Sequence, residues 1–585
     1  MRPPVVTTRD CVDGAVARAN AAAQEWARTT TAERRAALTR AAEVMAANRG
    51  RTLAVMAAET GKTVREGDPE VSEAIDTARF AAVSTRLLDE LAADGAGCEP
   101  RGTVVVAGPW NFPYAIPANG VTSALAAGNA VILKPAPEAV ATAAELVRHL
   151  HEASVPADVI QLLRTPDDDV GRHLITHPDI DTVVLTGAYD TARLFHSWKP
   201  NLRLIAETSG KNALVITGGA DLDLAISDLV HSAFGHAGQK CSAASLAVLE
   251  AGVYDDPRFL RRLADAVRSV RVGSARDLAT MMGPLVKPPD GKLLRALTTL
   301  DAGERWLVEP RPVDGTGALW TPGVKLGVQP GSFFHCTECF GPVLGVMRAR
   351  DLDDALALQN ASEFGLTGGL HSLDPDEIEH WTERVEVGNA YVNRHLTGAI
   401  VRRQPFGGWK HSAVGPGAKT GGPNDILRFV RFTRAGTVDA AHARASHREW
   451  WHALYGNARD ESGLRAERND LRYRGLAGVV VRTSPTTGDA ELAVLRDAAA
   501  TTGVTMSVAP PDEPGRATAR RFDGPGAWRL RALGPVDDDL AHACDARNVA
   551  IDDTPVTGHG RIELARWLHE QSISRTMHRH GRIAS

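Results

Sequence analysis

The sequence predicts an α/β fold in three parts: a doubly wound unit, a second α/β unit, and a small C-terminal α/β domain. Three observations carry this. From Arg101 onward, short apolar runs of strand length alternate with helical stretches. The runs are apolar at successive positions, as parallel strands buried on both faces require. The texture then changes twice, near Lys211 and again beyond Ala435. Taken in order, the first hundred residues read as helices. Thr30 and Glu33 have capping-box spacing, and an Ala/Leu/Arg-rich run to Met45 follows them. Strand-length runs fall at 104–106, 131–133, 159–162, 183–185 and 202–205, separated by helical stretches that include 117–127, 138–152 and 168–176. A second series, with helices over 221–235 and 257–269, extends from Lys211 to Trp409 and ends in the Gly/Pro-rich segment Gly415 to Pro423. A strand-then-helix pattern at 477–481 and 490–501 marks the last part. The expected boundaries are 1–209, 210–409, 410–436 and 437–585, with no short repeat of the solenoid kind.

Composition narrows the function. Lys and Arg total 66 against 71 Asp and Glu, a formal charge of −5, so no basic field favours nucleic acid. The six cysteines (Cys11, Cys98, Cys241, Cys336, Cys339 and Cys544) are too sparse in 585 residues for a disulfide framework. The N-terminus leads into polar sequence without an apolar signal core. No window approaches the ~18 apolar residues of a membrane helix. A soluble, cytoplasmic protein without nucleic-acid or membrane partners is expected.

Four segments could carry chemistry. Cys241 lies in Gly238-Gln239-Lys240-Cys241-Ser242-Ala243. A nucleophilic thiol needs local positive potential, which Lys240 could supply, but a cysteine among small residues can also be a buried space-filler. Glu207 follows a strand, beside Gly210-Lys211; such a carboxylate can act as general base on water, or simply cap a helix. In Gly108-Pro109-Trp110-Asn111-Phe112-Pro113, the Asn111 amide can donate to a developing oxyanion, while the aromatics can wall a pocket or merely pack. Glu338-Cys339-Phe340-Gly341-Pro342 is the fourth. Cys336-x-x-Cys339 beside His335 has the look of half a zinc site. A structural site needs four ligands, and no second pair exists, so no metal is expected.

In order and spacing together, these segments resemble the aldehyde dehydrogenase superfamily. Lys134-Pro135-Ala136, Thr186-Gly187 and Pro405-Phe406-Gly407-Gly408 complete the set, and the match runs from about residue 12 to 432. The resemblance implies the family's fold, with a Rossmann-like NAD-binding domain and an α/β catalytic domain. It implies that Cys241 attacks the aldehyde carbon and that the Asn111 amide and the Cys241 backbone N–H hold the oxyanion. Glu207 then activates the water that hydrolyses the thioester. Trp110 belongs to the cofactor set by its place in the loop. Glu338 would bind the nicotinamide ribose, with Phe340 packing near the nicotinamide. Lys134 would bind the adenosine ribose, and Thr186-Gly187 would lie near the pyrophosphate. Where the family usually has Glu three residues after that Lys, this chain has Pro137, with Glu138 one later; a carboxylate there favours NAD over NADP. Ala188 replaces the usual Ser after Thr-Gly. A CoA-acylating enzyme would not need Glu207, so hydrolysis is the expected outcome.

A tighter likeness lies in Asn393-Arg394-His395-Leu396-Thr397-Gly398-Ala399-Ile400-Val401 and in Ser412 to Lys419. These resemble L-glutamate γ-semialdehyde (Δ1-pyrroline-5-carboxylate) dehydrogenases, as found in the C-terminal half of proline-utilisation A proteins. That implies a substrate carboxylate anchored by backbone N–H groups of Thr397, Gly398 and Ala399, helped by Ser242, with Phe112 and Phe406 sandwiching the aliphatic stem. The rivals are oxidation of another aldehyde, or a non-catalytic binding relative. A flavin-binding barrel for proline oxidation would need on the order of 250 residues. No segment offers them, so no flavin is expected and a separate proline dehydrogenase is a possible partner. Residues 437–585 resemble the non-catalytic C-terminal region of the longer proline-utilisation A proteins, with Cys544 structural. Within it, Ile562, Leu564, Trp567 and Leu568 have the spacing of one apolar helix face. The family also implies a homodimer or higher oligomer formed by a swapped strand, for which Ile426 to Phe432 is the candidate.

Overall fold

The computed structural model describes residues 4–433 and 438–579, and the backbone of 582–583. The expected boundary at 436/437 therefore lies outside the described residues, as do Met1 to Pro3. Four helices open the chain: α1 (Arg9–Arg28), α2 (Thr31–Ala47), α3 (Arg49–Thr60) and α4 (Val64–Ala93). The capping box at α2 is formed: the Glu33 N–H donates to Thr30 Oγ1 at 3.1 Å, and Glu33 Oε2 accepts from the Thr30 N–H at 2.7 Å.

Five parallel strands follow, β1 (Thr103–Ala107), β2 (Ala130–Lys134), β3 (Ile160–Leu162), β4 (Thr182–Thr186) and β5 (Leu204–Glu207). Between them run α5 (Ala115–Ala126), α6 (Val140–Glu152), α7 (Asp169–Thr176) and α8 (Tyr189–Trp198). The spatial order is β3-β2-β1-β4-β5, closed by the antiparallel pair Ala413–Val414, which is the doubly wound order with its switch point beside β1. Alternation divides the faces. Val104, Val106, Val131 and Leu133 pack with α2, α4, α5 and α6, while Val105, Ile132 and Val183 pack with α1, α7 and α8.

The second sheet contains β6 (Asn212–Ile216), β7 (Ala244–Glu250), β8 (Arg305–Val308), β9 (Gly323–Leu326), β10 (Val343–Ala349), β11 (Thr367–His371) and β12 (Asn389–Val392). Helix α9 (Leu222–Phe234) crosses between β6 and β7. This sheet does not end at β12. From the C-terminal part, β13 (Arg459–Asp460), β14 (Glu467–Gly475) and a late strand, Leu568–Thr576, extend it to ten strands. The late strand lies parallel to β12, with Asn389 opposite Ser572, and antiparallel to β14.

The C-terminal part is thus two things. Helix α10 (Ala440–Trp450), β13, β14 and the late strand build onto the body. A four-stranded parallel sheet stands apart, made of β15 (Gly478–Arg482), β16 (Thr505–Ala509), β17 (Trp528–Ala532) and β18 (Ala550–Asp552). The late strand takes the label β19. Cys544 is buried in this small domain, outside the cavity that Cys241 lines, and burial pushes its thiol up to about 12.

Two expectations are corrected. Residues 426–432 are not one strand: Asp425–Phe429 is a 3₁₀ turn, and only Val430–Thr433 is extended, paired antiparallel with Gly97–Pro100 of the same chain. The cause is local. Buried Asp425 accepts from Asn119 at 3.2 Å and from the Gly421 N–H at 3.0 Å while pairing with Arg428, so the chain curls around it. Nor do Ile562, Leu564, Trp567 and Leu568 form one helix face. A single turn at Gly560–Glu563 and a 3₁₀ turn at Leu564–Arg566 end where Leu568 enters β19. Ile562 packs with the helices over the first sheet, and the other three with the core of the C-terminal part. No helix among the described residues is long and apolar enough to cross a membrane.

Candidate active site

One cavity of about 1770 Å³ opens between the first sheet and the second unit. Every residue put forward from the sequence lines it: Cys241, Glu207 and Asn111; Trp110, Lys134, Glu138, Thr186, Gly187, Glu338 and Phe340; Phe112, Ser242, Thr397, Gly398, Ala399 and Phe406.

The thiol loop is set by an unusual backbone. After α9, His236, Ala237 and Gly238 all take positive φ (52°, 55° and 68°), and a Cβ on Gly238 would stand 2.3 Å from the Gly341 carbonyl. Only glycine permits that approach without displacement. On the other side the Asn212 amide donates to the carbonyls of Cys241 (2.6 Å) and Ala243 (2.9 Å), and Glu338 accepts from the Gly210 N–H at 2.8 Å. The segments carrying Glu207, Cys241 and Glu338 are thereby tied to one another.

The electrostatics differ from the expectation in one respect. Lys240 does not lend its charge to the thiol: its Nζ is 2.6 Å from Glu66 Oε2, with both side chains nearly buried. Burial, and then the carboxylates of Glu207 and Glu338, push the Cys241 thiol up to about 12. Burial likewise raises Glu207, against Arg428 at 3.9 Å and a 2.5 Å hydrogen bond from Thr420 Oγ1. Cys241 and Glu207 thus line one cavity, and burial makes each hold its proton more tightly than in water.

Asn111 is held from two directions. Its amide donates to the Gln239 carbonyl at 3.1 Å, next to the thiol loop, and its own carbonyl accepts from Lys62 Nζ at 2.7 Å. Lys62 is fully buried, paired with buried Glu70, and sits 3.8 Å over the Phe112 ring. Glu70 in turn accepts from the N–H groups of Tyr114 (2.8 Å) and Ala115 (3.2 Å), capping α5. Sequence reasoning missed Lys62, Glu66, Glu70, Thr420 and Arg428. The first three lie at or in α4, far in sequence from every motif, and nothing in their spacing marks them.

At the far end of the cavity lie Thr186, Gly187 and the start of α8, where Ala188 offers no cap and Ser209 Oγ accepts from the Tyr189 N–H at 3.2 Å. The N-terminus of a helix beside such a cavity fits a dinucleotide pyrophosphate. Lys134 Nζ is 2.8 Å from Asp167 Oδ1, and the Trp110 and Phe340 rings meet edge to face at 5.6 Å. At the opposite end Gly398 has φ 134°, and its carbonyl accepts from the Tyr391 hydroxyl at 2.9 Å. Among the described residues no hydrogen bond engages the backbone N–H of Thr397, Gly398 or Ala399.

Two groups of residues with metal-ligating atoms make hydrogen bonds of their own. His335 accepts from the Gly331 N–H on Nδ1 at 2.9 Å, and its Nε2 meets the Leu358 carbonyl at 3.0 Å. Asp13, His173 and His177 converge near the surface. There the Asp179 N–H donates to His177 Nδ1 at 3.1 Å, which leaves the ring proton on Nε2, turned to Asp13 at 3.3 Å. A metal at that nitrogen would have to displace it.

The aldehyde dehydrogenase family model matches residues 5–434. A 1-pyrroline-5-carboxylate dehydrogenase of Geobacillus kaustophilus is 35% identical over 440 residues, covering 72% of this chain and 85% of that protein. The proline utilization A (PutA) structure from Corynebacterium freiburgense is 43% identical with a TM-score of 0.90; the match covers all of this chain but only 60% of that one. A Thermus 1-pyrroline-5-carboxylate dehydrogenase solved with bound NAD is 32% identical, with a TM-score of 0.68 over 73% of this chain and 85% of that one.

Proposed function

We propose a reaction that starts from one premise: the chain belongs to the aldehyde dehydrogenase family. The reaction is the NAD-dependent oxidation of L-glutamate γ-semialdehyde, the open form of Δ1-pyrroline-5-carboxylate, to L-glutamate, the second oxidation of proline catabolism. The observation that carries the substrate is the set of unengaged N–H groups at Thr397, Gly398 and Ala399, in the cavity that also holds Cys241. Successive loop amides make an anion nest, suited to a carboxylate at the end of a short chain. Phe112 and Phe406 would flank the methylene stem.

The chain's own residues then act in sequence. Cys241 gives up its proton within the cavity and adds to the aldehyde carbon, forming a thiohemiacetal whose oxyanion is held by the Asn111 amide and the Cys241 N–H. Bound NAD supplies the hydride acceptor, with Thr186-Gly187, the α8 terminus, Lys134, Glu338, Phe340 and Trp110 as its contacts. Glu207 takes the proton of a water that attacks the Cys241 thioester, and glutamate leaves. No residue in this scheme calls for flavin or metal. The semialdehyde would come from the oxidation of proline by a proline dehydrogenase activity. The six cysteines, all unpaired, suit a cytoplasmic setting, and a homo-oligomer is part of the reading.

The test is reduced-nicotinamide absorbance with pyrroline-5-carboxylate and with propanal, for the unaltered protein and for Gly398→Pro. The semialdehyde should be preferred, because only a substrate that carries the carboxylate gives the loop N–H groups an anionic partner. Gly398→Pro, which removes one donor, should raise KM for the semialdehyde far more than for propanal. Equal effects on the two aldehydes would refute the anchor.

A further inference from the structure

The cofactor end of the cavity holds a carboxylate that the expected pattern does not provide. Strands β2 and β3 are neighbours, and the loops leaving them bring Lys134 and Asp167 together. Lys134 is largely buried, with its side chain 12% exposed, and its ammonium meets Asp167 Oδ1 at 2.8 Å. Asp167 itself is open, 67% exposed, and both residues line the cavity. Its neighbour Asp168 is otherwise engaged, capping α7 through the Val170 N–H at 2.8 Å. Pro137 stands where a carboxylate is usual, and Glu138 sits in the following 3₁₀ turn without an ion pair among the described residues.

We infer that Asp167 sets the choice between NAD and NADP, a reading that rests on the proposed dinucleotide site. A ribose diol both donates and accepts, so it can take a hydrogen bond from Lys134 and give one to Asp167. A 2′-phosphate can only accept. It would meet a lysine already neutralised by Asp167 and two carboxylates of its own sign, Asp167 and Glu138. Removal of Asp167 leaves the Lys134 ammonium without its partner and free to take a phosphate.

The experiment measures calorimetric affinities for 5′-AMP and for adenosine 2′,5′-bisphosphate, with kcat/KM for NAD and NADP beside them. The proteins are the unaltered chain, Asp167→Asn, Asp167→Glu and Glu138→Gln. Asp167→Asn should raise bisphosphate affinity at least tenfold relative to AMP and move the NADP-to-NAD ratio the same way. Asp167→Glu should keep the original discrimination. If 5′-AMP binds but Asp167→Asn leaves discrimination unchanged, or Glu138→Gln alone shifts it, the role of Asp167 is overturned and the dinucleotide site stands. If the unaltered protein binds neither nucleotide and neither dinucleotide, both readings fall.

Discussion

Cys241 and Glu207 share one buried cavity, and each holds its proton more tightly than it would in water. That coupling makes the two chemical steps separable by substitution. Cys241→Ala should abolish dehydrogenase activity, since no other group on the cavity wall can carry the thioester. Glu207→Gln should slow hydrolysis by about 10²–10⁴, the usual contribution of general base catalysis, and leave a burst of reduced cofactor before a slow steady state. The pH dependence has a definite sign. Glu207 accepts a proton only when ionised, and burial lifts its pKa above the ordinary 4.5. Steady-state turnover should therefore rise with pH over a range displaced upward from 4.5, and Glu207→Gln should remove that limb. Stopped-flow and steady-state rates across pH check both. At this scale the motifs were legible because each needs a particular residue type at a fixed place. The electrostatics were not: Lys240 sits beside Cys241 in sequence, yet Glu66, 174 positions away by number (240 − 66), takes its charge.

Helix α4 and the turn before it organise the site without belonging to any motif. Lys62 and Glu70 form a buried pair that fixes the Asn111 carbonyl, lies over Phe112 and caps α5. Removing one partner of such a pair leaves a buried charge uncompensated, at about 3–5 kcal/mol. Lys62→Met, which keeps the aliphatic bulk, should lower stability by that order and also reduce kcat, because Asn111 loses the bond that positions it. Denaturant unfolding beside steady-state kinetics would check it; an unchanged kcat in the folded variant would show that Asn111 is positioned by Gln239 alone. The five parallel strands of the first sheet were readable because their apolar runs face helices on both sides. Residues 426–432 misled for the same reason in reverse. Their apolar content is real, but buried Asp425 and Arg428 curl the chain. Strand β19 gave no signal at all. Leu568-His569-Glu570-Gln571-Ser572 is polar, and its burial comes from partners some 100 and 180 residues earlier, such as Arg472 and Asn389.

At the scale of the whole molecule, the C-terminal part is joined to the catalytic sheet rather than appended to it. Strand β19 covers the edge of β12, and its residues reach the surroundings of Glu207. His569 stacks on Trp409 at 4.0 Å, and the Trp409 indole N–H donates to the Glu570 carbonyl at 2.9 Å. The Glu570 carboxylate accepts from the Asn424 amide (2.6 Å) and from the Lys419 N–H (2.7 Å). Lys419 is next to Thr420, which donates to Glu207. Burial draws the Lys419 ammonium down to about 7, and Glu570 and Glu207 act to hold its charge. On the far side, Asp545 of the small domain meets Arg193 at 2.6 Å and His196 at 2.8 Å on α8, bracing the helix assigned to the pyrophosphate. Deleting residues 437–585 should therefore do more than weaken self-association. It bares the hydrogen-bonding edge of β12, an invitation to pairing between chains, and removes Glu570 from the loop that holds Thr420. The truncated protein is expected to melt at lower temperature, to scatter light as large assemblies, and to lose steady-state turnover. Glu570→Gln, which leaves β19 in place, separates the two effects: it should preserve mass and most of the melting temperature while lowering the hydrolysis rate more than the burst. A truncated chain with unchanged mass, melting temperature and kcat would show instead that β12 and the Thr420 loop need no partner strand.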